Sequence, residues 1–95
     1  MKSSSGPKQQ IFSHLAEIAA ALAHPHRIEI LELIAQGERS VEDLAERIGL
    51  SLSNTSRHLQ VLRRARLAAP RREGKNMFYS LVSETEVVTL LASLG

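Results

Sequence analysis

The stretch from Ser40 to Leu62, SVEDLAERIGLSLSNTSRHLQVL, most narrows what this chain can fold into. Two runs of helical periodicity are separated there only by Gly49, Leu50 and Ser51. In the first run Val41, Leu44, Ala45 and Ile48 share one face at the spacing of an amphipathic helix. Ser40 and Asp43 have the spacing of a capping box, in which each polar side chain satisfies a backbone donor at the helix start, and Gly49 supplies a left-handed cap. The second run begins at once, with Ser51 as its N-cap. Two short helices joined by so tight a turn predict a helix-turn-helix.

The faces of the second helix follow from the same period. Leu59 and Leu62, with Thr55 a turn earlier, lie on the side that packs against the preceding helix. Ser53, Asn54, Ser56, Arg57 and Gln60 fall on the opposite side. Such a stripe suits base edges, because Asn and Gln pair with adenine, Arg with guanine, and Ser with either. A polar face is the commonest feature of any exposed helix, so its weight comes from its place in the motif and from the charge around it. Residues 51–80 carry Arg57, Arg63, Arg64, Arg66, Arg71, Arg72 and Lys75 against Glu73 alone, a local balance of +6 inside a chain whose total is +2. That concentration is the footprint of a polyanionic partner such as double-stranded DNA, weighed against the plainer reading of a solvated basic surface.

Beyond this helix, LAAPRREGKNMFYSL has the marks of a two-stranded hairpin. Met77, Tyr79 and Leu81 alternate with Phe78 and Ser80, and Glu73-Gly74-Lys75-Asn76 has the chemistry of a turn. Pro70 is compatible only with an edge strand. Arg71, Arg72 and Lys75 near the tip are expected beside the backbone of a bound duplex, where contacts position rather than specify. Upstream, residues 1–7 read as a disordered tail ending at Pro7, and 8–95 as the domain. A first helix is predicted over Lys8–Ala23, with Ile11, Leu15, Ile18 and Leu22 in register and Phe12 and Ala19 widening the stripe. A second runs from Pro25 to Gly37 through Ile28, Leu31 and Ile34, and a last one from Glu84 to Leu94.

Several function classes are disfavoured by what the chain lacks. It has no cysteine, hence no disulfide, thiolate metal site or thiol redox switch of its own. Its aromatic residues are Phe12, Phe78 and Tyr79, too few for a platform that stacks single-stranded bases. No apolar run is long enough to span a bilayer and MKSSSGPKQQ has no signal-peptide core, so a cytoplasmic protein without a membrane partner is expected. No phosphate loop, nucleophile elbow or paired acids point to an enzyme. His24 and His26 flank Pro25 without an evident third ligand, while His14 and His58 lie on separate helices. A metal needs three or four converging ligands, so neither a metal site nor a cofactor is expected, and His58 is expected to pack or to touch phosphate.

The stretch from Leu22 to Leu81 resembles the ArsR-type winged helix-turn-helix repressors. LAHPHRIEILELI is similar to the family's second-helix entry, LSLSNTSRHLQVLR to its recognition helix and RREGKNMFYSL to its wing. The resemblance implies a mainly α fold with a small β-hairpin, in the order α-α-α-α-β-β-α. It also implies a homodimeric, operator-binding transcriptional repressor, with dimer contacts from the first and last helices and release on sensing an effector. By motif position the base readers fall on Ser53, Ser56 and Arg57, and the wing arginines on the DNA backbone. Dimer symmetry then predicts an inverted-repeat operator.

Departures from the pattern matter as well. ERSVEDL places Ser40 and Glu42 where the metal-sensing members have two cysteines, and no histidine follows His58, so the usual metal chemistry is not implied and the effector is left open. Leu52 stands where glutamine is common and is expected to cover core rather than meet a thymine methyl. Arg66 occupies a place where the family usually has glycine; a left-handed backbone there costs roughly 1 kcal/mol relative to glycine. His24 replaces the usual aspartate before Pro25, and loss of a good N-cap is expected. Two other roles fit a winged helix, a protein-interaction module or the regulatory domain of a larger enzyme-linked protein. The first has less reason to keep the basic middle third, and the second is raised by a last helix that runs to the end of the chain.

Overall fold

Local chemistry at the helix ends sets the element boundaries. A computed structural model describes residues 6–82 and residue 92, arranged as α1 (Pro7–Ala21), α2 (Pro25–Ala35), β1 (Arg39–Ser40), α3 (Val41–Ile48), α4 (Leu52–Arg64), β2 (Ala68–Glu73) and β3 (Asn76–Leu81). Apart from Ala92, the helix expected over Glu84–Leu94 lies outside the described residues. Pro7, expected to close the tail, opens α1, where its fixed φ is pre-set for a first turn and its missing N–H costs nothing. Pro25 opens α2 in the same way.

The cap of α2 corrects the expectation drawn from the missing aspartate. The His24 ring Nδ1 accepts the His26 backbone N–H at 3.2 Å, so an imidazole does the work of a carboxylate. At α3 the capping box is half made. Ser40 Oγ accepts the Asp43 N–H at 3.0 Å, but Asp43 Oδ2 turns instead to Arg39 Nη1 at 3.0 Å and Arg47 Nε at 2.9 Å. The Arg39 guanidinium, with Arg47 behind it, holds the Asp43 carboxyl below the usual range. Gly49 then takes φ +82° and ends the helix, as its position foretold.

Ser51 caps α4, its Oγ accepting the Asn54 N–H at 3.1 Å. Thr55 lies fully buried in the same helix, its hydroxyl satisfied by donating to Ser51 O at 2.9 Å. Past the C-cap the chain turns at Arg66, with φ +63°. The Arg66 N–H reaches Arg63 O and the Leu67 N–H reaches Leu62 O, each at 2.9 Å. This is a Schellman closure with arginine where glycine is usual.

The hairpin is antiparallel and its register pairs Pro70 with Tyr79, Arg71 with Phe78 and Arg72 with Met77. A two-residue tip, Gly74 and Lys75, joins the strands, and Gly74 takes the positive φ of +62° that matches strand twist. A third strand, β1, adds to the far side of β3 by pairing Arg39 with Tyr79 and Ser40 with Phe78, giving the order β1-β3-β2. Two residues are too few to show alternation, so the expected element order lacked it. β2 is left at an edge, which is where Pro70 can sit without breaking a ladder.

The core joins Ile30 and Ile34 of α2, Leu44 of α3, Leu59, Leu62 and Ala65 around α4, and Ala68 and Tyr79 of the sheet. On α2 the buried pair is Ile30 and Ile34, whereas Ile28 is 53% exposed, so the inward face is rotated from the one that Ile28, Leu31 and Ile34 suggested. α1 contributes only Ala21 to the buried set; Phe12, Leu15 and Leu22 of its apolar stripe remain 52%, 41% and 40% exposed.

Candidate nucleic-acid interface

α3 and α4 form the predicted helix-turn-helix, and α4 has two chemically opposite sides. Thr55, Leu59 and Leu62 are all at 0% exposure, so the inner side is anchored in the core. Ser53, Asn54, Ser56, Arg57 and Gln60 are all exposed, so the outer side is the polar stripe expected. Burial of three side chains on one face fixes the helix rotation, and with it the direction of the other five. Leu52, on the first turn, is 51% exposed and does not cover the core, contrary to expectation. It adds a methyl-bearing group to the outer rim of the stripe.

Around the stripe the charge is positive. Arg63 and Arg64 lie in the last turn of α4, where cations oppose the carbonyl end of the helix dipole, and both are exposed, as is Arg66. On the wing the three predicted residues separate. Arg72 and Lys75 are exposed and make no ion pair among the described residues. Arg71 is committed elsewhere, its Nε and Nη2 donating to the two carboxylate oxygens of Glu38 at 3.0 and 2.7 Å. Its guanidinium also lies 5.0 Å from the Phe78 ring centroid and 3.5 Å from Glu73 Oε1. The Arg71 hydrogen bonds hold the Glu38 carboxyl below its ordinary range. Nothing in the hairpin sequence signals this partner, because Glu38 precedes β1.

Sequence reasoning also missed what surrounds His58. This residue is half-buried on α4, and its Nδ1 faces Arg27 Nη1 at 3.2 Å. Arg27 in turn donates from Nε to Ala21 O at 2.8 Å and from Nη2 to Ala20 O at 3.1 Å, tying the end of α1 to α2 and α4. His24 and His26 close on the same point, with ring centroids 4.5 and 5.8 Å from that of His58. The expectation that they have no third partner is therefore corrected. Burial, followed by the charges of His24, Arg27, His26 and Arg57, pushes the His58 pKa down.

Among the described residues no helix is long and apolar enough to cross a membrane. The profile of the family described as bacterial regulatory protein, arsR family, matches residues 24–69. The HTH-type transcriptional regulator Rv0324 of Mycobacterium tuberculosis is 38% identical over 92 residues, which make up 97% of this chain but 40% of that protein. The uncharacterized HTH-type transcriptional regulator Rv0081 of the same organism is 45% identical over 85 residues, 88% of this chain and 74% of its own length. The solution structure of Mb0332 from Mycobacterium bovis, described as a homodimeric winged helix-turn-helix DNA-binding domain and a possible ArsR-family regulator, aligns with a TM-score of 0.79 at 35% identity, covering 97% of this chain and 85% of that one. A buried-backed polar helix, a basic surround, a hairpin beside it and relatives matched over most of the chain lead to one conclusion: the chain belongs to the arsR family of bacterial regulatory proteins, and has the winged helix-turn-helix of its transcriptional regulators.

Proposed function

We propose that this regulator acts as a homodimeric repressor that binds an inverted-repeat operator and leaves it on sensing an effector. The observation that carries the reading is the outward stripe of Ser53, Asn54, Ser56, Arg57 and Gln60 on a helix whose other face is fully buried. In the major groove Asn54 and Gln60 offer the paired donor and acceptor that adenine requires, Arg57 the fork that guanine accepts, and Ser53 and Ser56 single adaptable hydroxyls. The half-exposed Leu52 sits where it can meet a thymine methyl. Arg72 and Lys75 of the wing contact phosphates, and Arg71 joins them only by giving up Glu38.

The half-exposed stripe of Phe12, Leu15 and Leu22 supports a dimer contact through the first helix; the segment expected to share that contact, 84–94, lies outside the described residues apart from Ala92. The chain from Pro7 onward acts as one DNA-binding domain, in the cytoplasm where the operator lies. Enrichment of a randomised duplex pool at about 0.15 M salt, where exposed charges more than roughly 8 Å apart are largely screened, tests the reading. It is expected to return an inverted repeat with half-sites about 34 Å apart, or a multiple of that distance. Weak binding that salt abolishes, with no sequence enriched, would instead favour the protein-interaction module.

A further inference from the structure

Among the described residues, the histidine cluster is the group of potential metal ligands that DNA reading does not use. One ring nitrogen from each of His24, His26 and His58 lies within 4.8 Å of the others, and all three residues are half-buried. We propose that these three imidazoles form a site for one divalent transition-metal ion of the zinc, nickel, cobalt and copper class, at the junction of α2 and α4. The site does not depend on DNA binding.

The chemistry favours that class because neutral imidazole suits those ions, and three histidines with an open fourth position for water are a recurring coordination set. Metal–nitrogen bonds of about 2.0–2.1 Å in a tetrahedral centre put the ligand nitrogens about 3.3 Å apart, so the rings must draw in by no more than about 1.5 Å. The rings are tilted by 35° to 67° rather than stacked flat, and they share one end of α2 with one turn of α4. Ring rotation rather than backbone movement can bring the nitrogens together.

The hydrogen bonds around the cluster add a second feature. Arg27 is always a donor, so the Nδ1 of His58 that faces it accepts and the proton of the neutral ring sits on Nε2. His24 Nδ1 accepts the His26 N–H, so its proton is on Nε2 as well. An ion taking Nδ1 displaces those donors. An ion taking Nε2 moves the proton to Nδ1, where it faces a donor and the hydrogen bond breaks. On either route ion binding is exclusive with the Arg27–His58 link and with the His24 cap of α2.

Cobalt(II) titration of the metal-stripped full chain, followed by its ligand-field absorption, tests the site. Saturation at one ion per chain is expected. His26→Gln is the cleanest variant because, among the described residues, the His26 ring stacks near His24 and His58 and holds no hydrogen bond. It and His58→Gln should each weaken binding by more than the roughly 10–100-fold that outer-shell partners are worth, whereas His14→Gln should leave it unchanged. Arg27→Gln should tighten it by removing the competing donor. Absence of saturable binding to the parent chain, or binding that survives both His26→Gln and His58→Gln, overturns the proposal. Should a variant lose its helical circular dichroism, the imidazole nitrogen shifts of the parent chain with zinc decide in its place. Rings 24, 26 and 58 shift together at one equivalent, or the site does not exist.

Discussion

Arg66 shows how a single residue can carry stability in the wrong direction for the fold. Its φ of +63° closes α4, and the two backbone hydrogen bonds of that closure, from the Arg66 and Leu67 N–H groups, are those that glycine at 66 would allow. A side chain in the left-handed region costs roughly 1–2 kcal/mol, while glycine loses about 0.5–1 kcal/mol through its freer unfolded chain. Arg66→Gly should therefore stabilise the domain by about 0.5–1 kcal/mol, read as a higher urea midpoint at unchanged slope. An equal or lower midpoint would mean that the arginine side chain makes up its own strain. The position was legible through the resemblance, which puts glycine where this chain has Arg66. His24 was not, since the sequence shows an imidazole before proline but not that its Nδ1 reaches the second amide beyond it.

Between elements, the recognition helix and the wing divide the labour of binding. Arg57 projects from a helix fixed by three fully buried residues, so Arg57→Ala should relax preference at one base position. Arg72 lies on an edge strand near the hairpin tip, and Arg72→Ala should weaken specific and random duplex alike, lowering the salt slope by about 0.9 for each phosphate that the side chain neutralises. Equal weakening on both duplexes for both variants would remove the division. The wing has a further control in the Arg71–Glu38 pair. Folded Glu38 titrates below its unfolded value, so the pair's contribution is present above the ordinary carboxylate range and is lost as pH falls through the depressed pKa. The Phe78 ring resonances beneath Arg71 should shift in that acid window, and Glu38→Gln should abolish the shift. If the ring is indifferent to pH in the parent chain, the tether does not govern the wing. Helices α3 and α4 were readable from periodicity because each is amphipathic over its whole length. β1 and the Glu38 tether were not, since one is two residues long and the other joins positions 33 apart.

At the scale of the whole molecule, α1 has surface left to bury. Phe12 and Leu15 stay half-exposed on a helix that gives the core only Ala21. A chain of 95 residues buries a smaller share of its surface by itself than a larger domain does, and a self-complementary contact through a two-fold axis is the commonest way to bury more. The same axis sets the operator. Two recognition helices related by it present identical stripes to half-sites of opposite orientation, and each half-site alone gives only part of the binding free energy. The stripe on α1 was legible as periodicity, but the sequence could not say that Phe12 and Leu15 stay exposed within it; the convergence of His24, His26 and His58 was hidden for the related reason that contacts between distant segments exist only once the helices have packed. Leu15→Glu, which puts a charge on the exposed stripe and touches no fully buried residue, should turn a sedimenting dimer into a folded monomer. That monomer should bind the inverted repeat no more tightly than a single half-site. A Leu15→Glu protein that still sediments as a dimer would move the interface away from α1 while leaving the reading of α4 untouched.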